Sequence, residues 1–167
     1  MKKFLYSLFI FGLLLNFSCG TREEAKTAEE LAVLPPADYD PESQLAKLGI
    51  ELPEAANPVA NYVNAVQTGN LLFLAGKGPK NTDGEYVTGK LGEDITVEEG
   101  YQAARLVGIN QLAVLKAELG NLNRVKRIVK VLGMVNAAPD FGNQPEVVNG
   151  FSDLMVEVFG ERGKHAR

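Results

Sequence analysis

The chain has 167 residues and a formal net charge of −4, with 46% apolar and 23% charged residues, which is the make-up of one folded domain. A single cysteine excludes an intrachain disulfide, and one cysteine with one histidine cannot supply the four ligands of a structural zinc site, so no metal is expected. The acidic balance argues against general nucleic-acid binding, which favours a basic surface.

Lys2 and Lys3 precede an apolar run of 14 residues, from Phe4 to Phe17. That is short of the roughly 20 residues a membrane-spanning helix needs. It fits a secretory signal over residues 1–19. Ser18-Cys19 puts the only cysteine where a bacterial lipoprotein signal carries its lipid-accepting residue, although Asn16 stands where leucine is usual. The alternative is an ordinary signal cut nearby. Lipidation is favoured because a free thiol in an oxidising compartment is a liability. A lipidated Cys19 would anchor the protein to a membrane facing the periplasm or the cell exterior. Residues 20–42 then read as a flexible tether rich in Glu, Ala and Pro, with at most a helical turn or two at 29–34.

Residues 43–167 read as one compact unit. A short helix is predicted at residues 43–48, stopped by Gly49. Residues 62–67 and 71–75 flank the turn signal Thr68-Gly69-Asn70 and read as a β-hairpin, its second strand apolar enough for burial on both faces. A second turn at residues 81–84 leads to a short strand at 85–88. Thr96-Val97-Glu98-Glu99 is a capping box, and positions 97, 101, 104, 108, 112, 115 and 119 form one helix face that Gly120 closes. Gly108 on that face predicts close packing against a sheet. Residues 125–135 carry apolar residues on both parities, which predicts a strand in the sheet interior. Pro145 opens a second helix whose apolar face is Val147, Val148, Phe151, Leu154, Met155 and Val158, and Gly160 ends it. The order predicts an α+β fold with two helices on one face of a sheet.

Several local patterns carry no chemistry. Gly84 to Lys90 matches the phosphate-loop spacing, but Leu91 replaces the required hydroxyl and no helix opens there. Arg124, Lys126, Arg127 and Lys130 read as a solvated rim, with Lys126 and Lys130 on one face with Ile128. Beyond the first 20 residues the only serines are Ser43 and Ser152 and the only histidine is His165, so a Ser–His–Asp hydrolase is discounted. His165 reads as a surface residue. Asn149 lies away from the core face of the second helix, near an outward Val156, which hints at a partner subunit.

Taken together, Asn61-Tyr62-Val63, the run from Thr68 to Gly76, the capped helix from Thr96, Arg127 to Asn136, Asn149 and His165-Ala166-Arg167 resemble the reactive intermediate deaminase (RidA/YjgF) family, also called endoribonuclease L-PSP. Pro41-Glu42-Ser43 and Leu48-Gly49-Ile50 resemble the lead-in of one branch of it. The resemblance covers residues 43–167. It implies a chorismate-mutase-like α+β fold, a homotrimer with clefts between subunits, and hydrolysis of enamines and imines such as 2-aminoacrylate to 2-oxo acids and ammonia, without a cofactor. It implies that Arg167 pairs with the carboxylate of a small ligand and that Tyr62, Gly76 and Asn149 line the cleft. Ala75 stands where the family usually has a hydroxyl or small residue, so no side-chain hydroxyl is offered there, and Lys77 stands where glutamine often follows. The family continues with two more strands, the last bearing an acidic residue that positions water. The resemblance therefore implies a chain truncated at its C-terminus and impaired as a deaminase. The alternatives are a non-catalytic ligand-binding or assembly module on the same trimeric fold, or a degenerate fragment.

The lipid anchor is directly testable. Cys19→Ala should move the expressed protein from the detergent phase to the aqueous phase, or leave its signal unprocessed. Unchanged partitioning and processing would remove Cys19 from the account.

Overall fold

The computed structural model describes residues 39–167; the expected signal, Cys19 and the tether up to residue 38 lie outside the described residues. The elements in order are α1 (Pro41–Lys47), β1 (Ala65–Thr68), β2 (Leu71–Leu74), α2 (Val97–Leu119), a 3-10 turn (Leu122–Arg124), α3 (Gln144–Phe159) and a second 3-10 turn (Gly160–Gly163). The α+β class holds.

Both ends of α2 form as the sequence predicts. Thr96 accepts from the Glu99 N–H, and the Glu99 carboxylate accepts from the Thr96 N–H at 2.8 Å. The hydrogen bonds from the Thr96 backbone and hydroxyl hold that carboxyl below its usual range. Gly120 closes the helix in the left-handed region at φ 73, where a Cβ would be strained. α1 starts earlier than the spacing suggests. Asp40 caps it by accepting from the Glu42 N–H and the Ser43 hydroxyl, and Pro41 occupies the first turn, where a missing N–H costs nothing.

The helices meet face to face. Gly108 of α2 packs on Leu154 of α3 rather than on the sheet that its place in the sequence suggests. Gly150 of α3 lies directly against the Tyr101 carbonyl of α2, so a methyl group there would collide with backbone. Two polar contacts flank this line: the Tyr101 hydroxyl donates to Asp153 at 3.0 Å and Arg105 donates to Glu157 at 2.6 Å. Burial, then the Asp153 carboxylate, raise the Tyr101 hydroxyl above its ordinary pKa. Leu45, Leu112, Leu115, Leu122, Val125, Leu154, Met155, Val158 and Phe159 form the core beneath.

Sheet structure is sparser than the sequence predicts. β1 and β2 pair antiparallel around Gly69-Asn70, with Thr68 opposite Leu71. Gly69 takes φ 54 at the first central position, as a type II′ hairpin turn requires. β2 is not buried on both faces: Leu72 and Leu74 pack on the core, while Leu71 and Phe73 are exposed. Residues 85–88 make only an isolated bridge, Lys80 with Tyr86. Residues 125–135 form no regular strand. Their backbone partner is the segment 162–166, through Ile128 N–H to the Arg162 carbonyl, Ala166 N–H to Val129 and Val131 N–H to Ala166. A strand is a property of pairing, and one partner contributing three bonds does not build a ladder. The apolar residues at both parities therefore divide: Ile128 packs on the core, whereas Leu132 and Met134 are 82% and 89% exposed. Lys126 and Lys130 are exposed, while Ile128 between them is half-buried.

Replacing Gly150 with alanine should force the two helices apart. Overpacking of this kind costs about 1–3 kcal/mol, and the obstacle is backbone, which cannot rotate away. A Tm fall of about 10 °C is expected for a domain of this size. A Gly150→Ala protein melting within a degree or two of the parent would refute the close approach.

Candidate functional site

The site is built on one stripe of α3 and on the segment that returns along it. Pro145, Asn149 and Ser152 follow at intervals of four and three, so they share a face. That face is not the one carrying Val147, Gly150, Leu154 and Val158 into the core. After Phe159 the chain reverses through Gly160, which sits at φ 59 over Tyr39. Gly163 lies against the Met155 carbonyl so closely that a Cβ would strike it. From there the chain runs back toward the start of α3. Extended backbone advances about 6.6 Å in two residues, and a helix about 5–6 Å in three or four. His165 and Arg167 therefore fall in step with Ser152 and Asn149.

Each pairing is made. Arg167 donates through Nη1 to Asn149 Oδ1 at 2.8 Å and to the Pro145 carbonyl at 3.4 Å. His165 Nδ1 lies 2.6 Å from the Gly163 carbonyl, and its Nε2 lies 3.0 Å from the Ser152 hydroxyl. A carbonyl can only accept, so in the neutral ring Nδ1 carries the proton and Nε2 accepts from Ser152; the tautomer is assigned from these partners. Phe151 packs edge-on against the imidazole at 6.4 Å. The other edge of the returning segment is held by backbone, Ala166 bonding Val129 and Val131. His165 is thus half-buried and engaged, not the surface residue of the sequence reading. Ser152 and His165, from which the discounted Ser–His–Asp hydrolase would have to be built, are hydrogen-bonded to each other.

The base of this segment is anchored by Arg162, a buried cation. It donates to the carbonyls of Val125 at 3.0 Å and Tyr39 at 3.3 Å, and lies 5.7 Å from the centre of the Tyr39 ring. Its Nε is buried without a partner among the described residues.

Tyr62 and Gly76 belong to a second group, at the open end of the hairpin. Tyr62 is exposed, and the space over Gly76 is open. Two residues that sequence reasoning passed over shape this loop. Asn64 Oδ1 accepts from Lys77 at 2.6 Å, and Gln111 of α2 donates to the Ala75 carbonyl at 2.9 Å. Gln111 Oε1 is buried without a partner among the described residues. No hydrogen bond among the described residues joins this group to Arg167 and Asn149. A surface groove of about 800 Å³ lies elsewhere, between α1, residues 49–55 and α2, and contains none of the expected site residues. No cluster of metal ligands and no helix long and apolar enough to cross a membrane is found among the described residues.

The sequence pattern of the family described as "YjgF/chorismate_mutase-like, putative endoribonuclease" matches residues 42–167. The chain belongs to this family. A similar relative is "Protein TCP17" of Trypanosoma cruzi, 48% identical over 126 residues that make up 75% of this chain and 79% of that protein. Two crystal structures share the fold. One is titled a "putative endoribonuclease" from Shewanella oneidensis MR-1, 40% identical with a TM-score of 0.74, covering 77% of this chain and 85% of its own. The other is Atu1372 of Agrobacterium tumefaciens, described as of unknown function, 41% identical with a TM-score of 0.70, covering 76% of this chain and 78% of its own. The YjgF-type α+β fold is therefore shown, while the chemistry must be argued from side chains.

Proposed function

We propose that this YjgF-family protein hydrolyses small enamines and imines that carry a carboxylate, releasing a 2-oxo acid and ammonia. The observation that carries this reading is the guanidinium of Arg167. It is exposed yet oriented, because Asn149 and the Pro145 carbonyl hold one of its nitrogens while its other N–H groups make no hydrogen bond among the described residues. A planar fork held in this way suits a carboxylate, which it can grip with two hydrogen bonds. The formal charge of −4 makes one local cation a better match to a small anion than to a polynucleotide.

With the carboxylate on Arg167, the reacting carbon next to it lies near Asn149, whose Nδ2 can donate to oxygen or nitrogen. The enamine takes a proton at carbon 3 and becomes an iminium. Water adds to carbon 2 and gives up a proton. The carbinolamine then transfers a proton to nitrogen and the C–N bond breaks, leaving the 2-oxo acid and ammonia.

Tyr62 and Gly76 reach such a ligand from a neighbouring subunit in this reading. What supports assembly is apolar surface turned away from the helices. Leu72, Leu74 and Ile128 face the core and Gly133 lies on Val148, which leaves Val66, Phe73, Leu132 and Met134 outward. Exposed apolar area of this kind marks an association surface. A homotrimer, exported and held to a membrane through Cys19, completes the proposal.

Two measurements test it. Ammonia release from 2-aminoacrylate generated in the assay should be catalysed, and Arg167→Ala should lower kcat/KM about 10–100-fold, the worth of about 1.5–3 kcal/mol for a charged hydrogen-bonded pair. Binding of 2-oxo acids without turnover would mean a ligand-binding module instead. Sedimentation should give three times the monomer mass; a monomer would contradict a cleft shared between subunits.

A further inference from the structure

The Ser152–His165 pair is not used by the chemistry above. A serine inside a helix ordinarily points to solvent or bonds the carbonyl four residues back. Ser152 instead has His165 Nε2 as its hydrogen-bond partner, at 3.0 Å. The imidazole is fixed on three sides: by Ser152, by the Gly163 carbonyl at 2.6 Å and by the edge of Phe151. Nδ1–H is committed to a carbonyl, so Nε2 is the basic nitrogen and it faces the hydroxyl. That is the arrangement of a nucleophile, its general base and a group that orients the base. Both residues are half-buried rather than sealed in the core. One turn away on the same face, Asn149 Nδ2 and the Arg167 N–H groups that have no partner among the described residues present donors.

We propose that Ser152 is a nucleophile activated by His165, acting on acyl compounds, esters or thioesters, that carry a second carboxylate. Arg167 holds the carboxylate, and this step does not depend on deamination. Ser152 Oγ attacks the acyl carbon as its proton passes to His165 Nε2. The C=O bond opens to an oxyanion, which the Asn149 amide faces. Collapse of the oxyanion breaks the bond to the leaving group, which takes the proton from Nε2. Water then attacks the acyl-serine and gives its proton to Nε2, and the Oγ departs with that proton. The products are the free acid and the alcohol or thiol.

The test is labelling of the full chain with a fluorophosphonate, located by mass spectrometry. Wild type should be labelled at Ser152 and Ser152→Ala should not. His165→Gln should slow labelling about 100-fold, the lower range for loss of a general base. A dicarboxylic half-ester such as 4-nitrophenyl succinate should be cleaved in preference to the neutral 4-nitrophenyl propionate, and Arg167→Ala should abolish that preference. Failure of wild type to label at Ser152, labelling equal in His165→Gln, or equal cleavage of the two esters overturns the proposal. Since wild type itself must be labelled, misfolding of a variant cannot rescue it. Ammonia release is read separately, so loss of the deaminase reading leaves this one standing, and the reverse.

Discussion

Gly150 resting on the Tyr101 carbonyl sets how close α2 and α3 can come, and the site inherits its geometry from that contact. Removing a side chain at the crossing lets two helix backbones touch, so α3 is fixed in height against α2. Gly108 repeats the device one turn along by admitting Leu154, and the Tyr101–Asp153 and Arg105–Glu157 contacts hinder sliding at the rim. With α3 immobile, the face bearing Asn149 and Ser152 is a rigid wall. Interiors this dense have discrete arrangements rather than continuous ones, so the backbone that carries these side chains has a defined position.

The second wall is extended chain, which has little stiffness of its own. Three constraints supply it. Gly163 is pressed on the Met155 carbonyl, Arg162 ties the turn to Tyr39 and Val125, and Ala166 is bonded on both sides of its peptide to Val129 and Val131. Arg162 is buried and donates to the Val125 and Tyr39 carbonyls; burial lowers its pKa, and the nearby Tyr39 and Asp40 work against that. Taking away a partner of a buried charge is costly. Residues 125–131 thus serve the site through their backbone, as a rail that positions Arg167, rather than as a strand inside a sheet.

The parts of this architecture that were legible in the sequence are those whose signals are local. The capping box at Thr96, the left-handed Gly120 and the apolar face of α3 each depend on residues within a turn or two, and each formed as read. Residues 125–135 read as a strand and do not form one, because apolar parity records what a segment can bury, not which partner is present to pair with it. Gly108 points to a sheet contact in the sequence and meets Leu154 in the structure, because a glycine announces a close approach but not its neighbour. Arg167 and Asn149 carry no local signal of their own; the family resemblance names them, and the structure joins them by a hydrogen bond. Ser152 with His165 was missed although a signal existed. A helical step of three from Asn149 and an extended step of two before Arg167 place them side by side, but only once the reversal at Gly160–Gly163 is known.

What unites the proposed chemistries is one oriented cation that receives a carboxylate. Titration calorimetry with pyruvate and 2-oxobutyrate tests this most directly, since it requires no turnover. Wild type should bind, Arg167→Ala should bind at least 10-fold more weakly, and Arg167→Lys should recover only part of the loss, because a point charge cannot make the two-pronged contact. Equal affinity in wild type and Arg167→Ala would contradict the account.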